Sequence, residues 1–205
     1  MKRIVYKTKK GIRLDKALFD FLDQTFTNLN EEFNLYLTRD FYYDNTKIRD
    51  DISCAEERTL LGLFSNAIVR GSEENITYQE YGVYKKQDYI GRADMFVSTP
   101  YFQIIIEAKK WSSTFLKYSP RELSDFLGKI WEQGKRYYEP ELSTLRKRPY
   151  LMTMVFEFNN YEVSRFHETL SSIREYDIDI ARDGVNYLTA YELDNNILMI
   201  YGWIE

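Results

Sequence analysis

Three side chains near the middle of the chain have types and spacing suited to phosphate chemistry: Asp94, Glu107 and Lys109. They lie in the stretch GRADMFVSTPYFQIIIEAKK, residues 91–110. The run FQIIIEAK is too apolar and too β-branched for a surface loop, so a buried strand is predicted. That strand nevertheless ends in a carboxylate and an amine, which are costly to bury unless paired or bound to a metal. Alternation along a strand puts Gln103, Ile105, Glu107 and Lys109 on one face, with Glu107 and Lys109 about 6.6 Å apart. The turn around Ser98, Thr99, Pro100 and Tyr101 predicts an antiparallel partner carrying Asp94. If Thr99 faces Phe102, Asp94 lies opposite Glu107; if Ser98 faces Tyr101, it lies opposite Ile105, diagonal to Glu107. In both registers the carboxylates share a face within roughly 5–8 Å, whereas a slip of one residue would separate them. Two close carboxylates suit a hard cation such as Mg²⁺. The adjacent lysine can orient a water or stabilise negative charge on a phosphate.

Two helices flank this pair of strands. Ser53 and Glu56 read as a capping box that opens a helix with the stripe Glu57, Leu60, Leu61, Phe64, Ile68. Glu57 is then left on the apolar face, where it needs a partner. It is either a stripe-edge glutamate, a salt-bridge partner for an arginine, or part of the site. Ser119, Pro120 and Glu122 open a second helix that Pro140 ends. Its stripe is Leu123, Phe126, Leu127, Ile130, Gln133, Tyr137, which places Gln133 and Tyr137 one turn apart on the face that covers the sheet. Read as packing residues, they are a core tyrosine and a helix-edge glutamine.

Asp94, twelve further residues, then Glu107-Ala108-Lys109 resembles the motif of the PD-(D/E)XK nuclease superfamily. Ala93 stands where that family has a proline before its first aspartate, and Glu107-x-Lys109 is the only acid-x-Lys in the chain. Gln133-x-x-x-Tyr137, on the helix after the E-x-K strand, is similar to the signature of the RecB-like and lambda-exonuclease-like branches. The resemblance implies a restriction-endonuclease-like αβββαβ core over roughly residues 53–158, an α/β fold with a mixed sheet flanked by helices. It also implies Mg²⁺, or Mn²⁺, bound by Asp94, Glu107 and the Ala108 carbonyl. An acid from the first core helix would join them, a role that Glu57 fits better than Glu56. Lys109 would orient the attacking water. Gln133 would hydrogen-bond substrate or a metal-bound water, and Tyr137 would contact a phosphate or stack on a base. The expected activity is metal-dependent hydrolysis of phosphodiester bonds in DNA. Two other readings stay open: a non-catalytic nucleic-acid-binding or complex-forming module on the same fold, and a restriction-type endonuclease, which would need specific base contacts and usually a dimer.

The remainder of the chain is consistent with such a scaffold. Its 205 residues suit one domain with a sizeable core, made of an N-terminal arm and helical cap (1–52), the core, and a C-terminal helix and hairpin (159–205). Apolar content is 44% and charged content 29%, as in a soluble globular protein. No apolar run is long enough to span a membrane, and no signal peptide is visible. The single Cys54 rules out an internal disulfide framework. A cytoplasmic protein is expected. The net charge of −4 does not advertise nucleic-acid binding, although distribution matters more than the sum. Residues 1–16 hold seven basic side chains against Asp15 alone, either a phosphate-binding arm or a solvated terminal strand. A helix is expected from Leu14 to Arg39, with Leu18, Leu22 and Phe26 on one stripe and Phe33 and Leu37 on a second. Residues 76–84 alternate like a half-buried strand. Arg146, Lys147 and Arg148 form a basic turn. PYLMTMVFEF reads as a central strand parallel to its predecessor. Asn159 and Glu162 open a further helix, where the lone His167 is read as structural, and residues 186–193 and 196–203 form a closing hairpin.

Overall fold

The apolar run that carries Glu107 is a central strand of the sheet, and its neighbours follow from what each face must bury. The computed structural model describes residues 2–8, 16–38, 41–43, 46–48, 56–85, 88–110, 120–137, 148–157, 187–193 and 199–204. Its elements are β1 (Lys2–Thr8), α1 (Lys16–Thr38), β2 (Phe41–Tyr43), β3 (Thr46–Ile48), α2 (Glu57–Gly71), β4 (Ile76–Lys85), β5 (Asp88–Ser98), β6 (Phe102–Lys110), α3 (Pro120–Lys135), β7 (Arg148–Glu157), β8 (Tyr187–Glu192) and β9 (Met199–Ile204). Seven strands form one mixed sheet in the order β1-β8-β9-β7-β6-β5-β4, and β2 pairs with β3 as a separate hairpin. β6 and β7 run parallel, as the unbroken apolar character of both segments predicts. Every other pairing is antiparallel. The protein is therefore α/β, with helices on the sheet and, from Glu57 to Glu157, the order helix, three strands, helix, strand.

One face of the sheet holds the main core. Ile104, Ile106 and Ala108 of β6 and Met152, Met154 and Phe156 of β7 are buried against Leu18, Leu22 and Phe26 of α1 and Leu60, Phe64 and Ile68 of α2. The helical spacing expected over 14–39 thus makes the cap over this face. The two helices are joined by polar contacts as well: Asn28 Nδ2 donates to the Ala67 carbonyl at 2.9 Å, and Arg70 bridges Glu31 and Glu32. On the opposite face, α3 lies over β6 and β7. Gly134 allows that approach, because a Cβ there would stand 3.0 Å from Leu151 Cδ1 and 3.5 Å from Glu107 Cβ. The predicted hairpin near the C-terminus is β8–β9, and β9 extends the sheet from β7. The basic N-terminus supplies β1, an edge strand on β8.

Two helix boundaries differ from those expected. α2 begins at Glu57, not Ser53: Glu56 is the N-cap, in extended conformation, and makes no side-chain cap bond, so the proposed Ser53–Glu56 box does not cap it. α3 stops at Lys135, short of Pro140, because its end tightens: Arg136 N–H donates to the Gln133 carbonyl and Tyr137 N–H to the Gly134 carbonyl, both three residues back. Tyr137 thus sits in a turn and not on the helix. The β2–β3 hairpin went unforeseen, since three-residue strands are too short to show alternation. Ser53, Cys54, Ser119, Arg146, Lys147, the Asn159 helix and His167 lie outside the described residues.

The β5–β6 turn sets the register on which the site depends. Pairs run from Ser98–Gln103 to Met95–Ile106, so the next step places Asp94 opposite Glu107, the first of the two registers anticipated. Thr99 pins it. Its N–H donates to the Phe102 carbonyl at 2.9 Å, and its hydroxyl donates to the same oxygen and accepts from the Phe102 and Tyr101 N–H groups. Thr99→Val keeps the shape and removes the hydroxyl bonds of a residue only 3% exposed. It is expected to lower unfolding free energy by about 1–3 kcal/mol in urea titrations. No loss of stability would mean that the hydroxyl does not hold the register.

Candidate active site

Burial along β5 and β6 shows how an apolar hairpin comes to display polar groups. Ala93, Met95 and Val97 are buried in the main core, which turns Asp94 to the opposite face with Glu107 and Lys109. At Asp94 the regular ladder gives way to a side-chain bond: the Ala108 N–H donates to Asp94 Oδ2 at 2.8 Å. The Lys109 ammonium lies 3.3 Å from Glu57 Oε1, 3.7 Å from Asp94 Oδ2 and 3.8 Å from Glu107 Oε1. Glu57 also accepts the Lys110 N–H at 3.0 Å, so the first residue of α2 is tied to the end of β6. Glu107 forms the floor of the cluster, fully buried, whereas the Lys109, Glu57 and Asp94 side chains keep 32%, 31% and 24% exposure at its mouth.

The structure thus brings together all three residues of the D…E-x-K pattern and Glu57, while Glu56 is exposed. Gln133 also arrives: its Nε2 donates to Glu107 Oε1, so it orients a carboxylate. Tyr137 packs its ring against the backbone of Gly91 on β5. A Cβ on Gly91 would come 2.7 Å from Tyr137 Cε1, and the residue has φ +144°, where glycine alone is comfortable. Gln133 and Tyr137 therefore touch different partners. Three further residues of this environment had gone unnoticed: Gly91, Gly134 and Thr153. Thr153 of β7 lies beside Glu107 in the parallel register and is the one hydroxyl in the buried run LMTMVF. Its Oγ1 and Glu107 Oε2 are buried without a hydrogen-bond partner. Polarity within an otherwise apolar central strand was the signal that could have found it.

Burial, then the charge of Asp94, pushes the Glu107 carboxyl from 4.5 up to about 8, against the pull of Lys109. Asp94 is also raised, mainly by burial, with the Ala108 N–H and Lys109 opposing. Burial disfavours the Lys109 ammonium, but Asp94, Glu57 and Glu107 together outweigh it, and Lys109 titrates above its ordinary value. The lysine is a fixed cation at neutral pH, a donor and not a base. Tyr137 is raised by burial and by the nearby Glu107. Among the described residues no set of three or more His, Cys, Asp or Glu is arranged to hold a metal ion. A cation here would have at most two well-placed carboxylates beside main-chain and solvent oxygens. No family model, curated protein or solved structure matches the chain.

A carboxyl whose pKa rises on folding stabilises the fold while protonated. Its contribution is fully present below about pH 4.5 and is lost as pH climbs to about 8. The metal-free protein is expected to lose stability across that window, and Glu107→Gln, which cannot ionise, to lose less. Denaturant titrations from pH 5 to 9 should show the variant gaining on wild type as pH rises. Parallel curves would contradict the burial of an ionisable Glu107.

Proposed function

We propose that this chain is a divalent-metal-dependent nuclease hydrolysing phosphodiester bonds, with DNA as its substrate. One observation carries the reading: a lysine ammonium within 4 Å of three carboxylates, the deepest of which keeps a buried oxygen unpaired. An open oxygen on a carboxyl with no exposed surface is costly for a cluster that serves only to hold the fold. An unpartnered acceptor beside a second carboxylate suits a cation. Mg²⁺ in particular needs only one or two carboxylates and takes its other ligands from water and substrate phosphate. The residues therefore fit the ion, with Asp94 and Glu107 as ligands and the Ala108 carbonyl as a further oxygen donor, while Glu57 stays engaged with Lys109 and the Lys110 N–H. When bound, it would lower the pKa of a water and neutralise phosphate charge.

The protein groups have separable roles. Gln133, anchored on α3, holds one oxygen of Glu107 and leaves the other available. The Ala108 N–H does the same for Asp94. Lys109 presents positive charge at the open side of the cluster, where it can bind a non-bridging phosphate oxygen or orient a water, and it would stabilise negative charge as this builds on the phosphoryl oxygens. Tyr137, seated on Gly91, offers a ring and a hydroxyl beside the same opening. The succession of α2, β4, β5, β6, α3 and β7 is the order expected of a restriction-endonuclease-like core and supports this reading. No described helix is long and apolar enough to cross a membrane.

Asp94→Ala and Glu107→Ala should each weaken Mn²⁺ binding at least about tenfold in calorimetry and lower DNA cleavage about a hundredfold or more. Lys109→Ala should keep Mn²⁺ and DNA binding while cleavage falls by a factor on the order of 100–1,000. Equal Mn²⁺ affinity in wild type and both carboxylate variants would overturn the assignment.

A further inference from the structure

The face that carries Asp94 continues toward the sheet edge as a patch of aromatic rings. Phe96 follows Asp94 by two residues and so lies on the same face, about 6.6 Å along β5. Tyr81 of β4 stacks on Phe96, with centroids 4.8 Å apart and planes at 22°. Tyr78 completes a triangle, 6.3 Å from Phe96 and 6.4 Å from Tyr81. Core packing does not account for these rings, since Tyr78 is 53% exposed and Tyr81 39%. They stay open because α3 packs on β6 and β7, the nearer of which is one strand from Phe96 and two from the tyrosines.

The backbone is distorted at this point. Gln79 pairs with Met95 and Tyr81 with Ala93, while Glu80 between them has φ +48°, an uncommon conformation for a residue with a side chain. Regular alternation would turn Tyr81 to the buried side of its partner Ala93; the kink instead brings its ring onto Phe96. Strain of this kind is costly and clusters at functional sites. Glu80 also gathers Arg58 and Arg92, at 2.6 and 2.9 Å, whose side chains remain 81% and 61% exposed. Two guanidiniums thus stand at the same edge as the rings.

We infer that the Tyr78–Tyr81–Phe96 face is a stacking platform for unpaired nucleotides, so that the substrate is single-stranded or carries a single-stranded end leading to Asp94. This rests on the nuclease reading and specifies its substrate. Exposed rings take any base through its π-face, whereas bases within a duplex are stacked on each other and present only their edges. The arginines supply phosphate contacts alongside. A protein partner adding to edge strand β4 would also cover tyrosines. Continuity with the carboxylate cluster and the paired guanidiniums favour nucleic acid.

The test measures fluorescence anisotropy of a short labelled oligothymidylate and of a blunt duplex, in EDTA, with the wild type, Tyr78→Ala/Tyr81→Ala and Tyr81→Phe. Cleavage of both DNAs with Mn²⁺ and sedimentation are measured in parallel. Wild type should prefer the oligothymidylate. The double variant should lose about tenfold or more of that affinity while keeping its melting temperature and Mn²⁺ affinity, and Tyr81→Phe should retain binding. If the double variant binds oligothymidylate like wild type while wild type cleaves DNA, the platform is wrong and the nuclease reading stands. If wild type neither binds nor cleaves either DNA, both fall. If the substitutions dissolve a dimer and leave oligothymidylate affinity unchanged, the face is a protein interface and the platform is overturned.

Discussion

A carboxylate with no exposed surface is the constraint around which this fold is arranged. Glu107 lies on β6, in the middle of the sheet and beneath α3, where burial and Asp94 disfavour its charge and Lys109 only partly offsets them. Lys109, two residues along the same strand, reaches it with an ammonium that Asp94 and Glu57 share. Gln133 occupies one oxygen, which requires α3 to pass very close to the sheet, and Gly134 makes that passage possible. Asp94 can take part only in the register that Thr99 holds at the β5–β6 turn. The cluster thus depends on a turn, a helix crossing and the start of α2 all being correct together. Coupling of that kind is expected where fold and chemistry conflict.

Much of this could be read in the amino-acid order because the relevant physics is local. FQIIIEAK could only be a buried strand, and period-two alternation then put Glu107 and Lys109 on one face. The Pro100 turn left two registers for Asp94, and both kept the carboxylates together. PYLMTMVF was apolar on both faces, which correctly pointed to a parallel central strand. Glu57 reached the site although the capping argument for it failed: the helix starts at Glu57 itself, where a first-turn acid can bend toward the end of β6. What escaped was decided by contacts distant in the chain. That Gln133 would hold Glu107 depends on how closely α3 crosses the sheet. That Tyr137 would leave the helix and rest on Gly91 depends on a tight final turn and on a glycine with positive φ. Thr153 could be seen as a polar residue in an apolar run, but its position beside Glu107 needed the β6–β7 register.

In the proposed nuclease, the cluster and the aromatic face would divide the work between two parts of one surface. The carboxylates and Lys109 provide charge at a fixed, partly desolvated point, where small displacements matter because the local dielectric is low. The rings on β4 and β5 lie toward the sheet edge and would provide stacking area without sequence preference for a flexible strand. The negative net charge of the chain does not oppose such a substrate, because Arg58 and Arg92 are concentrated beside the rings.

The central claim is that the Lys109 cluster receives a divalent cation. Paramagnetic broadening of backbone amide resonances by substoichiometric Mn²⁺ tests it most directly, since it reports position without relying on turnover. The amides of Ala108 and Lys110, which donate to Asp94 and Glu57, should broaden first, together with Asp94 and Glu107 themselves. Asp94→Asn should abolish that broadening. Broadening centred on other acids, such as the exposed Glu31 and its neighbour Glu32 on α1, with the β6 amides unchanged, would contradict the account.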